Sequence, residues 1–312
     1  MSASDTGKRT GTREWSEHSL NCCRGCSHAC VYCYARRQAL RYGRIPNGAA
    51  WADQRALTVE QVQADGRFAR RYRGVVMLPT THDLTLGPTG ALRACRAALW
   101  RLLEVGNRVL VVTKPSQAAV DAIVSATHDP YLPLDQDGVS GEPPPPGRSR
   151  IEVRCTITHL SPAAGRIWEP GAPTAGERID CLRRLQREEI ATSVSVEPLL
   201  EPWRAEELVD LVTPYVSAGG EIWVGHCNRL RERIAWALAP DSPLPVEDRA
   251  ALSEAADALA CAQGDRHTWE LYEQLRGHPL VRWKDSVAAV LRRRGLIVEA
   301  GRVIAGGEAG HG

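Results

Sequence analysis

Residues 25–37 read GCSHACVYCYARR, and the fold turns on them. Cys26, Cys30 and Cys33 stand in a C-x3-C-x2-C spacing, with the aromatic Tyr32 just before the last thiol. Three thiolates on one short loop can hold three irons of a [4Fe-4S] cluster and leave the fourth iron open. Two other uses of these thiols compete. Cys23, Cys26, Cys30 and Cys33 together would make a four-thiolate zinc site, although a zinc ribbon separates its CxxC pairs by far more than the three residues found here. Alternatively, Cys22 or Cys23 would complete the cluster as a fourth ligand and make it an electron-transfer centre.

The other cysteines argue against a disulfide framework. Five of the ten lie within residues 22–33, while Cys95, Cys155, Cys181, Cys227 and Cys261 are scattered through apolar stretches as small buried hydrophobes. The chain of 312 residues is 43% hydrophobic and 24% charged, enough apolar content for a full core. No apolar run approaches the ~18 residues of a membrane span, and the polar start MSASDTGKRTGTRE carries no secretory signal. The expected setting is cytoplasmic, with no membrane. A net charge of +2 identifies no partner. Lysine is rare: Lys8, Lys114 and Lys284 are the only three among 39 basic residues. Lys114 and Lys284, inside the folded part, mark places where a compact ammonium serves better than a planar guanidinium.

Beyond the cysteines the chain alternates. Val75–Leu78, Arg108–Thr113, Ile151–Thr158, Thr192–Val196 and Glu221–Gly225 read as strands. Ala35–Tyr42, Thr58–Tyr72, Ala91–Val105, Gln117–Ala126, Ala175–Glu189 and Ala205–Tyr215 read as helices. With a strand at the cysteine segment this gives about six βα units, and so an α/β fold built as a partial (β/α)6 TIM-like barrel. Residues 1–13 are expected to be a flexible tail, 14–236 the barrel, and 237–312 a C-terminal helical extension in which the strands stop. Residues 129–148, with four consecutive prolines, read as a surface insertion.

The cysteine spacing with its aromatic is the signature of the radical S-adenosylmethionine (radical SAM) superfamily. The wider sequence resembles one branch, the spore photoproduct lyase-like (DNA repair photolyase-like) proteins, from about Asn21 to Arg178 with an extension to Asp285. The landmarks are GCSHACVYCYARR, HDLTLGP, VLVVTK, VRCTIT and WEPGAPTAGER. The resemblance implies that Cys26, Cys30 and Cys33 ligate a [4Fe-4S] cluster, and that its open iron binds S-adenosyl-L-methionine. It places Tyr32, Thr81, Asp83, Lys114, Thr156 and Arg178 around that cofactor, Asp83 near its amino group and Arg178 near a carboxylate. It also implies reductive cleavage to a 5′-deoxyadenosyl radical, hydrogen abstraction from a substrate, and an external one-electron reductant of flavodoxin or ferredoxin type.

One departure bears on the reaction. Thr80 stands where the lyase carries the cysteine that donates hydrogen to the product radical, so repair of the spore photoproduct is not expected. Cys227 is a substitute donor or a buried structural cysteine. From His18 to Ala52 there is no Asp or Glu, while Arg24, Arg36, Arg37, Arg41 and Arg44 are all basic. These arginines either form a rim for a nucleic-acid substrate or offset the thiolates and pair with structural carboxylates. The non-enzymatic rival is an iron–sulfur or zinc protein that binds nucleic acid through this segment.

Overall fold

In a computed structural model of the chain, residues 11–87, 90–127 and 148–306 are described. Seven strands lie side by side in chain order: β1 (His18–Ser19), β2 (Val75–Met77), β3 (Arg108–Thr113), β4 (Ile151–Thr156), β5 (Ala191–Val196), β6 (Ile222–Val224) and β7 (Val281–Trp283). Every neighbouring pair is parallel. The sheet curls into a half-barrel with helices around it, an α/β partial TIM-like fold. Among the described residues β1 and β7 pair with one neighbour each, so the barrel stays open.

Eleven helices follow the strands. They are α1 (Tyr34–Arg41), α2 (Val59–Ala64), α3 (Ala91–Glu104), α4 (Gln117–Thr127), α5 (Pro162–Trp168) and α6 (Ala175–Arg187). Beyond β5 come α7 (Ala205–Val212), α8 (Leu230–Leu238), α9 (Val246–Ala262), α10 (Asp265–Leu275) and α11 (Asp285–Arg293). Strand β3, RVLVVT, is a nearly continuous Val and Leu run, as suits a parallel strand covered on both faces. Helix α3 buries Ala91, Ala94, Cys95, Ala98, Leu99, Leu102 and Leu103, spaced three or four apart along one face. Helix α6 starts on a capping box, in which Thr174 accepts from the Glu177 amide and Glu177 reaches back to the Thr174 amide.

Four expectations need correction. Strands do not stop after residue 237: β7 completes the sheet, and an antiparallel pair, β8 (Leu296–Glu299) with β9 (Arg302–Gly306), follows it. The first strand of the barrel sheet lies before the cysteines, at His18–Ser19, while Cys23–Arg24 pairs antiparallel with Arg55–Ala56 in a separate two-stranded sheet. The helix expected over Thr58–Tyr72 ends at Ala64, where Asp65 turns extended and its carboxylate accepts from the Arg67 amide. Helices α5 and α8 were not anticipated. Residues 1–10 of the expected tail and 129–147 of the Pro-rich insertion lie outside the described residues. Gly11–Glu14, by contrast, form a 3-10 turn against the strand ends.

Lys284 holds that turn. Its Nζ donates to the Gly11 carbonyl at 2.9 Å, lies 3.0 Å from Glu14 Oε1, and sits 3.8 Å over the Trp15 ring. With only 2% of the side chain exposed, its loss leaves Glu14 without a counter-charge. Lys284→Ala should cost on the order of 3 kcal/mol, seen as a lower melting temperature and faster amide exchange at Trp15 and Ser16. Unchanged melting and exchange would show that the turn is held by other contacts.

Candidate functional site

The C-terminal strand ends open into one cavity of about 850 Å³, a size suited to a small-molecule cofactor. Its walls carry Cys26, Cys30, Cys33 and Tyr32 from the loop after β1, and Thr80 to Asp83 from the loop after β2. Lys114 enters from β3, Thr156 from β4, and Ser195 and Glu197 from β5. In an open or closed α/β barrel this is the face where loops assemble chemistry.

The cysteine loop is fixed by backbone contacts. The Cys26 amide donates to the Trp51 carbonyl at 2.9 Å, and the Val31 amide to the Trp168 carbonyl at 2.9 Å. Gly25 has φ +83°, and a Cβ there would stand 2.7 Å from the Trp51 oxygen. Gly171 packs as tightly from the other side, where a Cβ would collide with the Ser27 oxygen. Only glycine allows either approach. The Gly171 amide also donates to the His28 carbonyl at 3.1 Å, so the loop after α5 clamps the cysteine loop.

Asp83 is spent on its own chain. Its carboxylate accepts from the Leu84 amide at 2.8 Å, the Lys114 amide at 3.0 Å and the Thr113 hydroxyl. His28 Nδ1 lies 3.2 Å from Asp83 Oδ2. Burial opposes ionisation, but His28, Lys114 and Thr113 outweigh it and hold the carboxyl well below the usual aspartate range.

Glu169, in the WEPG stretch, is the second buried carboxylate and was not singled out in the sequence. It accepts from the Tyr32 hydroxyl and the Arg178 guanidinium, and from the Thr158 hydroxyl at 2.9 Å. Lys114 Nζ and His159 Nδ1 each lie 3.8 Å from it. Burial pushes its pKa up, yet Arg178 and Lys114 prevail and keep it ionised far into acid. Burial likewise lowers the Lys114 pKa, and Cys30 and Glu169 more than reverse this. Arg178 also donates to the Thr156 carbonyl at 3.2 Å and lies behind the wall rather than on it. Its carboxylate partner in this structure is therefore Glu169.

The Cys26 and Cys30 thiols resist ionising without a cation. Burial is the largest cause for both Cys26 and Cys30, and pushes Cys30 up to about 12. Next to them lies a cation short of partners. Arg36, one turn into α1, is 1% exposed, stacks 4.1 Å from the Trp236 ring centroid, and has no hydrogen-bond partner for Nε or Nη1. Burial lowers its pKa, and Cys33, Cys30 and Cys26 act against that. An anionic thiolate-bound cluster at the three cysteines is what such a guanidinium would balance, so the donor set fits that group. Among the described residues, the one His, Cys, Asp or Glu group with ligand atoms all within 4.8 Å is Cys22, Cys23, His82 and Cys95. Cys26, Cys30 and Cys33 are thus not gathered around a single ion with Cys23, and ligands that hold different irons need not be.

The other sequence-selected residues fall as follows. Thr80 lines the cavity, and its Oγ1 accepts from Asn21 Nδ2 at 2.7 Å. Cys227 is buried with Leu230 and Ile234, off the cavity wall, with its thiol pushed up to about 11 by burial. Of the five arginines, Arg37 and Arg41 reach the cavity, where Arg229 and Arg233 join them from the start of α8. Arg37 pairs with Glu232.

No family model and no curated protein matches the sequence. The fold is similar to that of spore photoproduct lyase. A doubly substituted form with bound AdoMet and dinucleoside spore photoproduct matches at a TM-score of 0.52 and 14% identity, over 86% of this chain and 76% of that one. A singly substituted form with the dinucleoside spore photoproduct matches at a TM-score of 0.49 over the same shares. No helix among the described residues is long and apolar enough to cross a membrane.

Asp83 and Glu169 have folded pKa values below their ordinary 3.8 and 4.5. In acid the unfolded chain therefore binds more protons, so their stabilisation is complete above about pH 4.5 and fades as pH falls through the folded values. Glu169→Gln should flatten this acid limb and cost on the order of 3 kcal/mol at neutral pH, because Arg178 and Lys114 lose their counter-charge. Melting temperature between pH 3 and 7 checks both, and an unchanged acid limb would contradict the assignment.

Proposed function

We propose that this chain is a cytoplasmic radical SAM enzyme in which Cys26, Cys30 and Cys33 hold a [4Fe-4S] cluster. Tyr32, Thr81, Asp83, Lys114, Thr156 and Arg178 then build the S-adenosylmethionine site around it. One observation carries the reading: three cysteines share a cavity at the strand ends with Lys114, Thr81 and Thr156, backed by Arg36, whose Nε and Nη1 have no hydrogen-bond partner. The fold-level likeness to a lyase that binds AdoMet adds support. When bound, the cluster, fed by a flavodoxin- or ferredoxin-type reductant, supplies the electron that cleaves S-adenosylmethionine to methionine and a 5′-deoxyadenosyl radical able to abstract hydrogen.

The protein's own residues bind, orient and exclude water. Lys114 offers an ammonium to a carboxylate, and Asp83 fixes the strand end that carries it by accepting from the Lys114 amide. Glu169 acts on the site through Tyr32, Lys114 and Arg178, holding them in place as a positioning residue. The turn tied down by Lys284 forms part of the cavity wall.

A nucleic-acid substrate is favoured by Arg37, Arg41, Arg229 and Arg233 on one side of the cavity, with Glu232 the carboxylate among them. Guanidinium groups gathered at one cavity suit a phosphodiester backbone. Anaerobic reconstitution should give about four irons per chain, and adding S-adenosylmethionine should change the EPR spectrum of the reduced cluster. Cys26→Ala, Cys30→Ala and Cys33→Ala should each abolish that response, whereas Cys22→Ala and Cys23→Ala should keep it. A reduced, iron-loaded sample that yields no 5′-deoxyadenosine even with oligonucleotides would leave a nucleic-acid-binding metalloprotein as the reading.

The reaction should differ from photoproduct repair. An S–H bond is weak enough to give hydrogen to a carbon radical, and the O–H of Thr80 is not. Incubating the reduced protein with a dinucleoside spore photoproduct should therefore give no clean turnover, and Thr80→Cys should raise it. Catalytic conversion to two thymines by the unaltered chain would overturn this and direct attention to Cys227.

A further inference from the structure

A second group of metal-ligating side chains lies outside the cysteine triad and takes no role in the chemistry described so far. Cys22 and Cys23 follow β1, His82 sits on the loop after β2, and Cys95 comes from the buried face of α3. The Cys22 sulfur is 3.4 Å from that of Cys95, 4.0 Å from that of Cys23 and 3.9 Å from His82 Nε2. All four ligand atoms fall within 4.8 Å of one another. Tetrahedral zinc with Zn–S near 2.3 Å and Zn–N near 2.0–2.1 Å sets its ligands about 3.6–3.8 Å apart. The observed spacings straddle that value, so small side-chain rotations complete the tetrahedron.

The histidine is already set for such a role. His82 Nδ1 faces the Asp83 carbonyl at 3.2 Å, which puts the proton on Nδ1 and leaves Nε2 as the acceptor nitrogen, 3.9 Å from the Cys22 sulfur. Nε2 lies 3.3 and 3.2 Å from the amides of Cys22 and Cys23. On metal binding those amides are free to donate to the thiolate sulfurs instead, and hydrogen bonds to metal-bound sulfur are common. Three thiolates and a neutral imidazole form a soft, closed set, the pattern of a structural rather than a catalytic zinc ion.

We propose that Cys22, Cys23, His82 and Cys95 form a structural zinc site. The three thiols lose their protons to solvent as the ion binds, and no oxidant or reductant is needed. The ion would join three elements at the base of the cavity: the residues leading into Cys26, the loop carrying Asp83, and α3. The inference rests on this geometry alone and stands whether or not the cavity performs radical chemistry.

The full chain, purified under reducing conditions, incubated with zinc sulfate and freed of loose metal by gel filtration, should carry about one zinc. Its zinc K-edge absorption should fit about three sulfurs near 2.3 Å and one nitrogen near 2.0–2.1 Å. Cys95→Ser should reduce zinc at least tenfold. Cys23→Ser, at the less buried edge of the group, should do the same and serves where the Cys95 variant fails to fold. Cys30→Ala should retain zinc. Zinc lost in Cys30→Ala but kept in Cys23→Ser would overturn the site. So would a zinc-free chain with all four side chains unmodified, a Cys22–Cys95 disulfide in its place, or uptake of copper but not zinc.

Discussion

The buried carboxylate of Glu169 is the contact on which the site depends. It is fully enclosed and faces Arg178 and Lys114, with Tyr32 and Thr158 filling its remaining acceptor positions. Two cations this deep in a protein would repel each other and lose their hydration unless a carboxylate and hydrogen bonds compensated both. Each partner comes from a different region of the chain: Tyr32 from the cysteine loop, Lys114 from the end of β3, Thr158 from beyond β4, and Arg178 from α6. The cation that faces the cavity and the aromatic beside the cysteines are thereby referred to one point. Asp83 has a matching role on the neighbouring strand, tying Thr113 and the Lys114 amide to the loop after β2.

Such side-chain clamps are needed because β1 is so short. Only His18 and Ser19 pair with β2, opposite Val76 and Met77, yet the whole cysteine loop departs from this strand. Two ladder positions define direction but not the placement of a loop several residues further on. Asn21 supplies what the ladder lacks: its Oδ1 accepts from the Thr80 and Thr81 amides at 2.9 and 2.8 Å. The Cys22, Cys23, His82 and Cys95 group continues the same seam into α3. The start of the half-barrel is thus pinned by polar and sulfur contacts where a longer strand would have used backbone hydrogen bonds.

This difference decides what was legible in the sequence. The cysteine spacing is local, and so are the β-branched residues of β3, β4 and β5, so the half-barrel and its cysteine loop could be read directly. Strand β7 could not, because VRW is three residues with a charge in the middle. Arg282 is nonetheless buried, since Glu221 pairs with it at 2.9 Å and the Pro279 and Val281 carbonyls accept from it. No apolar periodicity betrays a strand stabilised in that way. Glu169 was equally silent: a lone Glu between Trp and Pro acquires meaning only when Arg178, Lys114 and Tyr32 converge on it in space. Arg178, read as a partner for a cofactor carboxylate, already binds a carboxylate of its own chain.

Depth sorts the remaining charges by task. Lys114, Arg178 and Arg36 are enclosed and face Glu169 or the three cysteines, which suits them to hold fixed, anionic groups. Arg37, Arg41, Arg229 and Arg233 lie on the cavity wall with Glu232 shared between Arg37 and Arg229, which suits them to a mobile anionic partner arriving from solvent. Position 80 lies between these layers. The Thr80 hydroxyl accepts from Asn21 Nδ2, while Asn21 Oδ1 holds the Thr80 and Thr81 amides through the other end of its amide group. A change of side chain at 80 thus removes one hydrogen bond and leaves both backbone bonds intact. Side chains other than proline's leave both amide bonds to Asn21 in place, so the group presented to the cavity at 80 can change without moving Thr81 or Asp83.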